Sequence, residues 1–219
     1  YWFLNVLFPP KCVLCEKVLA DTEADLCREC RITTKSYPFG RKKVQFLDSF
    51  TAVWYYDGCV RRSLLRYKFG GKRGYAPSYG RMVAMKLLRE YPGGFDCLTW
   101  VPVSPWRRFT RGYDQVELLA RAVGEELQME PRRFLKKVRH NRPQSGIRGE
   151  AQRRANVLGV YEAVDREQLA GKRILLLDDI LTTGATAGEC ARILLEAGAE
   201  EVHFAAVAAA NKKNQDRKV

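Results

Sequence analysis

One stretch constrains the fold of this chain more than any other. Ile174 to Leu177 is an unbroken aliphatic run, Asp178 and Asp179 follow it directly, and Thr182, Thr183, Gly184, Ala185 and Thr186 come after Ile180 and Leu181. An aliphatic run of this length reads as a strand buried on both faces. The acids then emerge at its carboxyl end, and the hydroxyl- and glycine-rich residues form a loop leading into a helix that starts near Thr186. From Phe46 onward the neighbouring segments alternate in the same way. "SFTAVWYYDG" is β-branched and aromatic, hence strand; Tyr79, Met82, Val83 and Leu87 lie at helical spacing; "CLTWVPV" is a short apolar strand. Val116, Leu119, Ala120, Val123 and Leu127 give a second helical face, Cys190, Ile193, Leu194 and Ala197 a third that stops at Gly198, and "EVHFAAVAA" a last buried strand. Such alternation predicts an α/β fold: a parallel sheet flanked by helices on both faces. Ligands of such sheets bind beyond the carboxyl ends of the strands, so the chemistry belongs in the loops after Val103 and Leu177.

The acid–threonine loop carries two chemistries. Backbone N–H groups, the hydroxyls of Thr182, Thr183 and Thr186, and the positive end of the following helix make an anion cradle, with Gly184 permitting a tight turn. The carboxylates of Asp178 and Asp179 repel phosphate; they suit sugar hydroxyls or a divalent cation held by the ligand. A ligand with a phosphate at one end and a ribose diol beside it satisfies both halves. A plain helix cap after a core strand needs one such residue, not two acids and three threonines.

The cysteines define a separate module. Cys12, Cys15, Cys27 and Cys30 form C-x2-C-x11-C-x2-C, which presents four thiolates to one tetrahedral zinc. A segment this short has no core of its own, so metal binding supplies its folding energy. Paired disulfides are the alternative; the total of seven cysteines and an opening stretch, "YWFLNVLFPP", without a basic region or a cleavage site argue against it. Four thiolates leave no open position, so this zinc is structural. Cys59, Cys97 and Cys190 read as core thiols. The domains are expected at residues 1–45, the zinc module with a basic connector, and 46–219.

The sequence "ILLLDDILTTGAT" resembles the phosphoribosyl-pyrophosphate signature of type I phosphoribosyltransferases. Over almost the whole chain, "LFPPKCVLC" with the second cysteine pair, "YKFGGKRGYA", "VPVSPWRRFTRGYDQVELLA", "RPQSG" and "RRANVLGVY" are similar to the competence protein F (ComF, GntX-like) family. The resemblance implies that Asp178 and Asp179 hold the ribose hydroxyls and act at the catalytic centre, and that Thr182–Thr186 hold the 5′-phosphate. It further implies that Ser104–Thr110 is a loop contacting pyrophosphate, with Arg107, Arg108 and Arg111 supplying charge, and that Lys68 lies near the phosphates. Asp114 departs from the family's amide at that position; Gln115 is retained.

Lys and Arg outnumber Asp and Glu by 38 to 25, for a net charge of +13, which favours a polyanionic partner. Pro131 to Arg154 is especially basic and reads as a long loop, in this enzyme class a lid over the ligand. In the competing reading, Arg139, Arg142 and Arg148 contact the phosphate backbone of single-stranded DNA, and Tyr37, Phe39, Trp54, Tyr55, Tyr56 and Trp106 are candidates for base stacking, with core packing as their default role. His203 reads as a satisfied core residue. No apolar run is long enough to span a membrane, and a cytoplasmic location is expected. Two functions follow. One is an enzyme that binds 5-phosphoribosyl 1-pyrophosphate with magnesium and transfers the phosphoribosyl group. The other is a non-enzymatic single-stranded-DNA-binding or competence scaffold protein that keeps the ligand site.

Overall fold

A computed structural model of the chain describes residues 9–40, 43–139 and 150–211. Its centre is a four-stranded sheet of β1 (Ser49–Tyr55), β2 (Cys97–Trp100), β5 (Arg173–Leu181) and β6 (Glu201–Ala209), ordered β1-β6-β5-β2 with every neighbouring pair parallel. The middle strands β5 and β6 are the aliphatic and alanine-rich runs expected there, and Ile174 to Leu177 are fully buried. A short antiparallel ribbon, β3 (Leu135–Lys137) with β4 (Tyr161–Ala163), lies apart from the sheet.

Both faces are covered. On one, Leu175 and Leu177 pack with Tyr79, Val83 and Leu87 of α3 (Ala76–Glu90) and Leu119 and Val123 of α5 (Gln115–Leu127). Gly80 lets α3 and α5 approach closely: a Cβ there would come within 2.5 Å of Ala122. On the other face, Ile174 and Leu176 pack with Cys190, Ile193 and Leu194 of α7 (Ala185–Glu196). Each such fully buried aliphatic side chain stabilises the fold by about 1.5–3 kcal/mol relative to exposure.

The cysteine-bearing module, with α1 (Arg28–Thr33), sits against α2 (Gly58–Phe69) and α3. Asp25 accepts from Arg81 Nε at 2.9 Å and from Ser78 Oγ at 2.6 Å, and Arg66 Nη2 donates to the Leu14 carbonyl at 2.7 Å. Val13 and Leu14 are buried with the main core.

Three expectations are corrected. The segment from Ser104 to Thr110 is not a loop but largely a helix, α4 (Pro105–Arg111): Ser104 caps it by accepting from the Arg107 N–H, and Pro105 takes the first helical position, where its missing N–H costs nothing. The basic stretch from Pro131 to Arg154 is not all loop either, since β3 lies near its start and α6 (Glu150–Ala155) at its end; Arg142 and Arg148 lie outside the described residues. Strand β5 does not stop at the acids but continues to Leu181, because Ile180 and Leu181 pair with Ala208 and Ala209 of β6. Among the described residues no helix is long and apolar enough to cross a membrane.

Candidate functional site

The carboxyl ends of all four parallel strands open on one cleft of about 1280 Å³. Tyr56 and Asp57 line it after β1, Val101 to Val103 after β2, Ile180 to Gly184 at and beyond the end of β5, and Ala210 and Asn211 after β6. The loop from Thr182 behaves as its residue types demand. Gly184 has φ +91°, a left-handed conformation that favours glycine, and a Cβ there would meet the Val44 side chain at 2.7 Å. Thr183 Oγ1 accepts the Ala185 N–H at 3.3 Å, and α7 begins at once, so its N-terminal end faces the cleft. Thr182, Thr183, Gly184 and Thr186 all line the cleft; Ala185 opens the helix and is not among the lining residues.

Successive residues of a strand point to opposite faces, and the two acids obey this. Asp179, 2% exposed, turns toward α2 and α5: its Oδ1 meets Lys68 Nζ at 2.9 Å and its Oδ2 accepts from Gln115 Nε2 at 3.0 Å. Gln115 in turn accepts from Arg111 Nη1 at 2.9 Å. Lys68, expected near phosphates, is therefore in the cleft but holds an acid, and Asp179 has both oxygens engaged. Asp178 turns to the other face. One of its oxygens accepts the Asp179 N–H at 2.8 Å, and it lies near Tyr161 and Cys190, both of which burial, and less so the Asp178 charge, push up. Burial, then the neighbouring Asp179 charge, holds the Asp178 carboxyl well above the usual carboxylate range.

Of the three arginines, Arg107 and Arg111 line the cleft and Arg108 does not. Arg108 is exposed and leans toward Glu117 at 3.9 Å, since consecutive helical positions point in different directions. Burial pushes the Arg111 guanidinium down, and it lies 4.7 Å from the centre of the Phe69 ring. Arg139 is exposed at the end of the ribbon, outside the cleft lining. Asp114 caps α5, accepting the N–H groups of Val116 and Glu117 at 2.9 and 3.0 Å, so its acid is a structural choice.

Sequence reasoning missed two groups in the site and named a third, Trp106, only as a stacking candidate for DNA. Lys137, on β3, lines the cleft with its ammonium 5.6 Å from the Tyr161 ring centre; burial, then Arg107, pushes the amine down to about 8. Arg153 lines it from α6. Trp106 lines it from α4 with 65% of its surface exposed, and Phe109 on the same helix is 81% exposed. Lys137 and Arg153 lie in a stretch whose charge was visible, but no local pattern tells which lysine of a basic run turns inward. His203 is not a simple core residue: it bonds Ser49 Oγ through Nδ1 and Glu201 through Nε2, at the opposite end of the sheet.

The four thiols of Cys12, Cys15, Cys27 and Cys30 lie within 4.8 Å of one another. The Cys15 and Cys27 sulfurs are 3.6 Å apart, close to the ~3.8 Å edge of a tetrahedron with 2.3 Å zinc–sulfur bonds. Burial and then the neighbouring sulfurs raise the Cys30 thiol well above its usual value, so a cation is needed to gather thiolates here. The donor set fits structural zinc. Cys190 is a buried core thiol; Cys59 and Cys97 are half-buried.

The comparisons with known proteins match both parts of the chain. The phosphoribosyl transferase domain model matches residues 114–219, and the double zinc ribbon domain model matches residues 3–39. The chain is 24% identical over 218 residues to Competence protein F of Haemophilus influenzae, covering 88% of this chain and 93% of that one. It is 31% identical over 156 residues to Competence protein ComFC of Streptococcus pneumoniae, covering 70% and 65%. Among solved structures it is similar to the glutamine phosphoribosylpyrophosphate amidotransferase of B. subtilis, with a TM-score of 0.44 and 24% identity over 64% of this chain and 30% of the enzyme. A zinc ribbon ahead of a phosphoribosyltransferase-like α/β domain, in a chain similar along most of its length to competence proteins, is the arrangement that the paired cysteines and the acid–threonine motif lead one to expect, and the chain belongs to the competence protein F (ComF) family.

Proposed function

We propose that the cleft binds 5-phosphoribosyl 1-pyrophosphate with magnesium, and that the protein is a phosphoribosyltransferase acting in DNA uptake, in the cytoplasm. The zinc module and connector are taken as residues 1–45 and the phosphoribosyltransferase-like domain as 46–219. The observation that carries the reading is that one cleft joins the Thr182–Thr186 loop, an acid and several cations. In this reading the 5′-phosphate accepts from the loop amides and threonine hydroxyls, helped by the α7 N-terminus. The ribose diol donates to Asp178, the acid that Lys68 and Gln115 do not hold. The pyrophosphate lies among Lys68, Arg107 and Arg111, whose charges favour its departure as the sugar takes on oxocarbenium character.

The residues fit magnesium, which is commonly held by one or two carboxylates and by substrate phosphates. Asp178 is the carboxylate suited to it, whereas Asp179 is committed to Lys68 and Gln115. Bound there, magnesium would neutralise charge on the leaving pyrophosphate. Calorimetry with the sugar pyrophosphate and magnesium tests the reading. Asp178→Asn should weaken binding at least tenfold, and an unchanged affinity would reject it.

A second reading has one observation in its favour. Helix α4 displays Trp106 and Phe109 beside Arg107 and Arg108, a stacking-and-charge surface of the kind that binds single-stranded nucleic acid. If DNA binding is the whole function, Asp178→Asn leaves it intact. Charge reversal across Arg139, Arg142 and Arg148 then weakens binding to a short single strand and flattens its salt dependence.

A further inference from the structure

The amino ends of β1 and β6 gather a second set of reactive groups, on the order of 20 Å from Ala210 in the cleft at about 3.3 Å per strand residue. Ser49 and His203 are register partners on neighbouring parallel strands, and Glu201, two residues before His203, points to the same face of β6. Ser49 Oγ lies 2.8 Å from His203 Nδ1, and His203 Nε2 lies 2.9 Å from a Glu201 oxygen. Tyr91, at the end of α3, places its hydroxyl 2.7 Å from Ser49 Oγ. The donors and acceptors fix the protons. A carboxylate only accepts, so Nε2 carries the ring proton; in the neutral ring Nδ1 then accepts, and Ser49 donates to it. Burial pushes the Tyr91 phenol up to about 12, which keeps it a donor at neutral pH. The groups are within reach of a ligand: Ser49, Tyr91 and His203 are half-buried rather than sealed in the core. The rings of Tyr91 and Phe95 flank His203 at 5.5 and 5.4 Å between centres, and Phe39, 48% exposed, stands edge-on to Tyr91 at 5.3 Å.

We propose that Ser49, His203 and Tyr91 form a second, esterase-type catalytic site that takes small esters bearing an apolar or aromatic group. A hydroxyl bonded to a base that a carboxylate in turn orients is the arrangement acyl transfer requires, and it is recognised by geometry and roles rather than by fold. Ser49 Oγ attacks the ester carbonyl carbon while its proton passes to His203 Nδ1, and Tyr91 donates to the oxyanion. The bond from that carbon to the alcohol oxygen breaks, and the alcohol leaves with the proton from Nδ1. Water then attacks the acyl-serine and gives a proton to Nδ1; the acid departs as that proton returns to Ser49 Oγ. Ester and water become acid and alcohol. Glu201 is a positioning residue, which holds the imidazole in the tautomer whose Nδ1 is free to accept. Phe39, Tyr91 and Phe95 give the apolar group of the ester a surface to rest on. This site stands whether or not the cleft takes a sugar phosphate.

A fluorophosphonate probe, which traps activated serines, and 4-nitrophenyl acetate, both applied to the full chain, test the proposal. Mass spectrometry of the digested adduct should find the probe on Ser49, and heat denaturation beforehand should abolish that adduct. Ser49→Ala should remove the adduct and lower ester turnover at least 100-fold, and His203→Gln should lower it about 100-fold, the low end for loss of a general base. Tyr91→Phe should lower kcat by about 100-fold, as for loss of one oxyanion donor. Glu201→Gln should lower kcat with KM unchanged, a split that loosened packing alone would not give. A folded, unmodified protein whose Ser49 stays unlabelled, or ester turnover indifferent to Ser49→Ala, overturns the proposal and leaves the network as a brace between α3 and the sheet. The labelling needs no variant, so a substitution that fails to fold does not rescue or sink it.

Discussion

The cysteine cluster and the acid pair both concentrate like charges, and they resolve the conflict in different ways. In the zinc module four thiols face one point and leave no position for anything but a metal. In the cleft the two acids diverge: Asp179 is closed off by Lys68 and Gln115, whereas Asp178 is a carboxyl whose charged form burial and Asp179 both disfavour. Charge that only holds the fold together is fully satisfied by its surroundings. Charge that serves a ligand is left partly unsatisfied until the ligand comes, and the protein is less stable for it.

The sharpest way to break this comparison is to strip the metal. Structural zinc in such modules binds with about 10–16 kcal/mol of apparent free energy, so Cys27→Ser or a strong chelator should unfold residues 9–34, as seen by metal analysis and amide exchange. A module that stays folded and protected without zinc would erase the contrast. Next in size is Asp179→Ala, which strands a largely buried lysine and should cost about 3 kcal/mol in denaturant unfolding. Adding Lys68→Met should restore most of that loss, since replacing both partners with apolar groups is often nearly neutral. Smaller, and of opposite sign, is Asp178→Asn: it should raise the melting temperature at neutral pH while removing sugar-phosphate binding.

The pH dependence of that last effect follows from its sign. Asp178 binds its proton more tightly in the folded state, so it does not destabilise the fold below the unfolded-state value, near pH 4; the penalty grows as pH rises from there to the raised folded-state value and is constant above it. The stability gap between Asp178→Asn and the unmodified protein should therefore vanish in acid and open toward neutrality. A gap independent of pH would mean that the carboxyl is not strained.

How much of this was legible depended on whether the signal was local. The buried strands and the faces of α3, α5 and α7 could be read because periodicity and burial are the same fact seen twice. The zinc ligands were legible because their spacing is the site. Helix α2 was readable in principle, as Val60, Ser63, Leu64 and Tyr67 fall at helical spacing and are all buried, yet its serine and arginines obscure the pattern. The Ser-Pro start of α4 was a helix signal hidden by a family expectation of a loop. The division of labour between Asp178 and Asp179 was not legible, because it depends on Lys68 and Gln115 arriving from distant parts of the chain.

Val44 rests against Gly184, the pivot of the anion loop, and belongs to the connector that leaves the zinc module. In the proposed reading, the ceiling over the phosphate pocket is thus hung from the connector of the cysteine-bearing module. If loss of zinc loosens that connector, occupancy at one end biases occupancy at the other, and by thermodynamic reciprocity the factor is the same in both directions. Zinc shortage would then slacken the grip on the proposed sugar phosphate, a dependence measurable as one affinity ratio from either side.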